Sequence, residues 1–301
     1  MTGAKPLAEQ HAPFDRAVLA RRRQRAAARA RNHDFLLRRV AEDFAARLAI
    51  VQRQFDLAVN LGAHHGVLGE LADLTNVGRM IHVDGVAEML AQCPGEGIVA
   101  DEEALPFADE TIDLVVSGLA LQWVNDLPGV LAQIRRALKP DGLLLAALIG
   151  GGSLVELRQA FIEAEEEVTG GASPRVAPFV DVRDLGGLAQ RAGFALPVVD
   201  RDAITLTYPS ALALMVDLKA MGASNALSQR RRVPVTRGVL ARAAAIYETR
   251  FGMGDGRVAA SIEILTLTAW APHESQQKPL ARGSAQMRLA DALGVKEERG
   301  E

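Results

Sequence analysis

Residues 55–66 read Phe55-Asp56-Leu57-Ala58-Val59-Asn60-Leu61-Gly62-Ala63-His64-His65-Gly66. The apolar run through Val59 predicts a buried parallel strand, and the glycines predict a turn into a short helix-like segment that ends near Leu74. In open α/β sheets this junction is where nucleotide-like ligands bind, outside the carboxyl ends of the strands. Moving outward, the unit repeats. A strand over 79–83 ends at Asp84, one over 97–100 at Asp101-Glu102-Glu103, and one over 112–116 at Ser117-Gly118. Strands that alternate with helices and close on polar residues predict an α/β, Rossmann-like fold with a mostly parallel, doubly wound sheet.

The flanks extend this pattern. Leu37, Val40, Phe44 and Leu48 recur at helical spacing behind Asp34, which predicts a capped helix over 34–50 covering a sheet face or the mouth of the site. Leu127, Leu131, Ile134 and Leu138 stripe a helix over 126–138. Lys139-Pro140-Asp141-Gly142 then predicts a turn into a strand over 143–149. Helices over 154–168 and 181–192, strands over 197–206 and 258–270, and helices over 210–221 and 236–251 complete the pattern. The expected organisation is an N-terminal helical arm (1–50), a core domain (51–270) with a helical insertion at about 208–251, and a tail (271–301).

With 301 residues the chain has room for one large α/β domain with additions, or for two small ones. Its net charge of −3 argues against an extended nucleic-acid surface. Cys93 is the only cysteine, which fits a reducing compartment and a buried rather than catalytic thiol. No apolar run reaches the ~18 residues of a membrane helix. These features point to a soluble intracellular protein. The arginine- and alanine-rich stretch 17–31 invites a transit-peptide reading, but Glu9 and Asp15 interrupt its acid-poor character. The expectation is a bacterial cytoplasm, with the mitochondrial matrix as the alternative and the arm as a solvated helix.

At the strand ends Gly62, Asp84, Asp101 and Ser117 should converge. Asp84 lies twenty-two positions after Gly62, close to the ~20 at which a carboxylate takes the ribose hydroxyls of an adenosine cofactor. A dinucleotide would favour G-x-G-x-x-G, of which only Gly62 and Gly66 remain.

Several stretches resemble class I methyltransferases, which bind S-adenosylmethionine. They are Asp101-Glu102-Glu103-Ala104-Leu105-Pro106-Phe107, Ile112 to Ser117, Leu121-Gln122-Trp123-Val124 and Lys139-Pro140-Asp141-Gly142. The chain is similar, more particularly, to the methyltransferase-fold assembly factors of respiratory complex I, whose mitochondrial member is described as a protein arginine hydroxylase. Phe14-Asp15-Arg16, Gly170 to Phe179, Met221 to Asn225 and the tail His273 to Ala285 carry that likeness. More distantly it resembles the malonyl-carrier-protein methyltransferases of biotin synthesis.

The resemblance implies that Asp84 holds the ribose and that Asp101 and Glu102 flank the adenine. It also implies that backbone near Gly62 and Ser117 holds the methionine portion, and that Gln122 and Trp123 line the reaction pocket. It implies a protein substrate, a complex I subunit in that family. Alternatives are a carboxyl O-methyltransferase acting on a carrier-bound or small acid, and a non-catalytic assembly chaperone with a degenerate site. The departure falls on the organising stretch: where the family has aspartate-leucine-glycine-x-glycine-x-glycine, this chain carries Asn60 for the acid and His64 for the second glycine.

His82 and Asp84 share a strand face, and with His64 or His65 they would form the two-histidine, one-carboxylate set of non-haem iron enzymes; the alternative is polar residues at a cofactor rim. The carboxylates of Glu163, Glu165, Glu166 and Glu167 suggest either a guanidinium site or a solvated face. Arg230-Arg231-Arg232 reads as solvated loop charge. No serine or cysteine nucleophile set and no zinc spacing is present, so no catalytic residue is assigned.

Overall fold

A computed structural model describes residues 12–277 of the chain. Its sheet has seven strands in the order β3-β2-β1-β4-β5-β7-β6. The strands are β1 (Phe55–Leu61), β2 (Val77–Asp84), β3 (Glu96–Val99), β4 (Ile112–Gly118), β5 (Leu138–Ile149), β6 (Ala195–Tyr208) and β7 (Val258–Trp270). β1 pairs in parallel with both β2 and β4, and β7 runs antiparallel to β5 and β6. Strand order reverses between β1 and β4, so the loops after β1, β2 and β4 open at one edge. β4 is buried along its whole length, as expected of a central strand covered on both faces. This is the Rossmann-like class I methyltransferase fold expected from the sequence.

Helices α1 (Arg16–Ala26) and α2 (Phe35–Ile50) precede the sheet, joined by a 3₁₀ segment (Ala27–Asn32). Behind β1, Gly66 at φ 89° starts a 3₁₀ turn (Val67–Glu70) and the short α3 (Leu71–Leu74). α4 (Ala87–Leu90) follows β2, and α5 (Leu127–Ala137) precedes β5. Then come α6 (Val155–Thr169) and α7 (Val182–Arg191), and α8 (Ala211–Ala220) and α9 (Arg237–Phe251) intervene between β6 and β7. Asp126, Asp181, Ser210 and Thr236 cap the helices that follow them with side-chain acceptors.

Five expectations change. Lys139-Pro140-Asp141-Gly142 lies inside β5: the pairing steps from Ile112↔Leu138 to Leu114↔Leu143. Asp141, at φ 63° and held by Arg53 at 2.5 Å, makes the stretch a bulge. Asp34 does not cap α2; its carboxylate turns to Arg38 and to His65. The described part of the arm, from residue 12 on, is docked rather than solvated, because Phe14 bridges Leu227 and Asp15 accepts from Arg230 at 3.0 Å. The same ion pair shows that Arg230 is not free loop charge. The acidic run on α6 holds the chain's own arginines: Glu163 pairs with Arg250 and Glu167 with Arg242. Glu165, fully buried, binds Arg175 and Ser173. Lys278-Pro279 and Arg282 to Ala285 lie outside the described residues.

α2 packs Val40, Phe44 and Leu48 onto the sheet, in one cluster with Phe55, Ala58, Leu114 and Val116. Phe44 has no exposed surface, so Phe44→Ala should cost about 3–5 kcal/mol in urea unfolding. Ile50, 81% exposed at the end of the same helix, should tolerate alanine within about 0.5 kcal/mol.

Candidate cofactor site

The site lies where β1, β2 and β4 end. Gly62, at φ 69°, follows β1 and donates its N–H to the Val83 carbonyl at 2.8 Å. A Cβ there would stand 2.1 Å from the Ala120 Cβ, so Gly62 is required by packing against the β4 loop as well as by its dihedral. His64 has φ 52°, a left-handed backbone that glycine would adopt without strain.

Asp84 closes β2 with a fully buried carboxylate. Its Oδ1 accepts the Val86 N–H at 2.8 Å, and its Oδ2 accepts the His64 N–H at 2.9 Å. The third donor is a surprise. Arg23 of α1 donates from Nη2 to the same Oδ2 at 2.6 Å and lies 3.6 Å from Glu102. Arg16, two turns earlier, reaches Asp101 and Glu102, both at 2.5 Å. Every carboxylate named for the cofactor on the ribose and adenine side is therefore met by an arginine of the arm. Burial alone would lower the Arg16 pKa, but Glu102 and Asp101 outweigh it and raise it.

His64 joins this cluster. Its Nε2 lies 2.9 Å from the Gly118 carbonyl and its Nδ1 3.3 Å from Arg23 Nη2. One neutral tautomer serves both, with Nε2–H donating and Nδ1 accepting. Burial, reinforced by the Arg23 charge, pushes its pKa down to about 4. His65 donates to Asp34 at 3.1 Å, and burial lowers its pKa too. His82, likewise lowered by burial, lies 3.2 Å through Nδ1 from the Asn60 amide nitrogen. His65 and His82 have partners of their own, whereas His64 and Asp84 share Arg23. Among the described residues no three His, Cys, Asp or Glu side chains are grouped to hold a metal ion. Cys93 is half-buried, and burial, with Asp84 adding, raises its thiol to about 11, which keeps it protonated.

An apolar cavity of about 130 Å³ abuts the cluster, lined by Arg23, His64, Gln122, Trp123, Leu154 and Phe179 among others. A second, of about 480 Å³, shares Trp123, Leu154, Phe179 and Leu218 with it and runs beneath α8. Gln122 and Trp123 line this chamber, while the Asn60 side chain contacts His82. Three buried oxygens at the strand ends lack a partner: Asn60 Oδ1, Ser117 Oγ and Gln122 Oε1. Unpaired buried acceptors of this kind suit a ligand with donors. The unpaired oxygens leave acceptors free for a donor-bearing ligand on that side, whereas Asp84 is already engaged by Arg23. The sequence reading missed Arg16 and Arg23. Their signal was a cation at a buried helical position: Leu19, Arg23 and Ala26 share the inner face of α1.

Comparison with known proteins places this geometry in a family. The chain is 39% identical to the mitochondrial arginine-hydroxylase NDUFAF5 of Danio rerio over 285 residues, 92% of this chain and 88% of that protein. It is 41% identical to the Homo sapiens protein over 257 residues, 84% of this chain and 74% of that one. The chain belongs to the NDUFAF5 family. Residues 56–146 match the methyltransferase domain model. Malonyl-[acyl-carrier protein] O-methyltransferase of Xylella fastidiosa is 45% identical over 175 residues, 58% of this chain and 57% of that protein. Among solved structures, YcgJ of Bacillus subtilis superposes with a TM-score of 0.56 at 11% identity, over 78% of this chain and 99% of that one, a likeness of fold alone. NDUFAF5-family membership extends past the methyltransferase core into the arm and the cap.

The site's buried neutral histidine carries a pH signature. The unfolded chain protonates His64 near pH 6.5, whereas the folded protein resists until about pH 4. The unfolded state thus binds more protons within that window, and stability falls as pH drops through it. Urea midpoints measured from pH 7 to 4 should show this decline, and His64→Gln should flatten part of it.

Proposed function

We propose that this chain modifies an arginine of a protein substrate during assembly of respiratory complex I, as an S-adenosylmethionine-binding member of its family. The observation that carries this reading is the 39–41% identity to arginine-hydroxylase NDUFAF5 over 84–92% of the chain. Support comes from the gathering of Asp84, Asp101 and Glu102 beside Arg16 and Arg23 of the arm at the strand ends, with Gln122 and Trp123 lining the chamber beyond. When bound, S-adenosylmethionine would supply an electrophilic methyl group. The protein's part is to orient the substrate side chain in the apolar chamber and to exclude water from it. No helix among the described residues is long and apolar enough to cross a membrane. We place the protein in a bacterial cytoplasm, with the mitochondrial matrix as the alternative.

A second reading, an assembly chaperone that retained the fold without catalysis, is favoured by the occupancy of Asp84 by Arg23. Carboxyl O-methyltransfer has less support, because the carrier-protein enzyme aligns over only 58% of the chain.

Intact-mass analysis of complex I subunits, with and without this gene, separates the readings. A subunit arginine heavier by one oxygen only when the gene is present supports hydroxylation, one heavier by a methylene supports methylation, and loss of assembly without any mass change supports the chaperone. Calorimetric titration should show S-adenosylmethionine binding that Asp84→Ala weakens about tenfold or more, through loss of charge-assisted hydrogen bonds.

A further inference from the structure

We infer that Arg23 competes with the ribose of an adenosyl ligand for the Asp84 carboxylate, so that helix α1 latches the site and sets this chain's affinity for the ligand. The inference rests on the cofactor reading above. An ionised carboxylate offers about four acceptor positions. At Asp84 three are in use, by the N–H groups of Val86 and His64 and by Arg23. A ribose diol brings two hydroxyl donors to a carboxylate with one acceptor position left. The two backbone donors belong to the strand ends and stay. Arg23 is the donor that can leave.

Space agrees with this count. The cavity that Arg23 and His64 line measures about 130 Å³, below the roughly 300–1,000 Å³ of ordinary ligand sites. Arg23 lines that space and also contacts Asp84 and Glu102, so withdrawing it would open the space toward both carboxylates. The helix has a second set of anchors on which it can turn. Asp15 pairs with Arg230 at 3.0 Å, Arg22 donates to the Asn225 carbonyl, and Phe14 bridges Leu227. All three partners belong to the loop after α8, not to the sheet. Lifting α1 from Asp84 also parts Gln24 from Glu88 of α4 and loads the Phe14 N–H bond to Asn125, while the three cap contacts hold the helix to the loop after α8. Arg16, on Asp101 and Glu102, would release from the adenine side in the same movement.

The test is calorimetric titration of S-adenosylhomocysteine into the full chain and into Arg23→Gln, with Arg39→Gln as a surface control that loses only an exposed pair with Asp202. Thermal unfolding checks each variant, and Arg23→Lys, which keeps the charge but loses the planar fork, replaces Arg23→Gln if that variant does not fold. The expected result is binding at least about tenfold tighter in Arg23→Gln, about 1.4 kcal/mol, with the control unchanged. Amide exchange within residues 16–26 of the unaltered protein should rise when S-adenosylhomocysteine is added. Equal or weaker binding by the Arg23 variant, or slower exchange in α1 on adding the ligand, overturns the latch and leaves the cofactor reading standing. No binding by any variant overturns the cofactor reading and the latch with it.

Discussion

The buried pair between Arg23 and Asp84 ties the arm to the sheet. A carboxylate with no exposed surface at a strand end is costly unless it is paired and hydrogen-bonded, and Arg23 and the two backbone N–H groups meet that need. Removing one partner of such a pair typically costs about 3–5 kcal/mol, because the other charge is left stranded. The position of α1 follows from this constraint. Leu19 and Ala26 share its inner face with Arg23, and Ala26 packs with Met89 of α4. His33, just after the 3₁₀ segment, contacts Asp217 of α8, which also accepts the Tyr208 hydroxyl at 2.7 Å. The arm, the cofactor edge and the cap are thereby coupled through a few polar contacts around an apolar chamber.

Much of the fold could be read because its signals are local and repetitive. The apolar strands, the aspartates and serines that cap α5, α7 and α8, and the alternating strand-helix order all point one way. Lys139-Pro140-Asp141-Gly142 misled because a turn signal and a bulge signal share residue types. Only the pairing of Leu138 with Ile112, a contact with a distant strand, distinguishes them. Asp34 misled for a similar reason: it stands where a cap belongs, but a guanidinium one turn on and the His65 ring are stronger partners than a backbone N–H.

The candidate site was readable in its acids and not in their partners. Asp84, Asp101 and Glu102 follow from strand ends and spacing, whereas Arg16 and Arg23 sit tens of residues upstream, in a stretch whose composition suggests solvated charge. Among so many arginines, only its place on the Leu19–Ala26 face of α1 sets apart the one that is 8% exposed. The same holds for Glu165, which lies beside exposed Glu166 and Glu167 yet is fully buried against Arg175. Which member of a charge run turns inward is decided by tertiary contacts.

His64, in the turn after β1, and Asn60, near the end of that strand, both have side-chain contacts that fix them. A non-glycine residue in the left-handed region costs of order 1–3 kcal/mol and persists where surrounding contacts hold it. At His64 those contacts are the Gly118 carbonyl and Arg23, both satisfied by one neutral tautomer. A glycine at this position would relieve the backbone, but it would remove the ring that packs beside the guanidinium and enlarge the chamber. Asn60 has moved in the same direction. Its amide nitrogen lies 3.2 Å from His82 Nδ1 and can donate to that nitrogen when it is unprotonated, which a carboxylate cannot do. The two substitutions replace flexibility and charge at the turn with fixed, neutral partners. The His64 contacts lie within the polar network that holds Arg23 against Asp84, and the Asn60 contact is made to β2, the strand that carries Asp84.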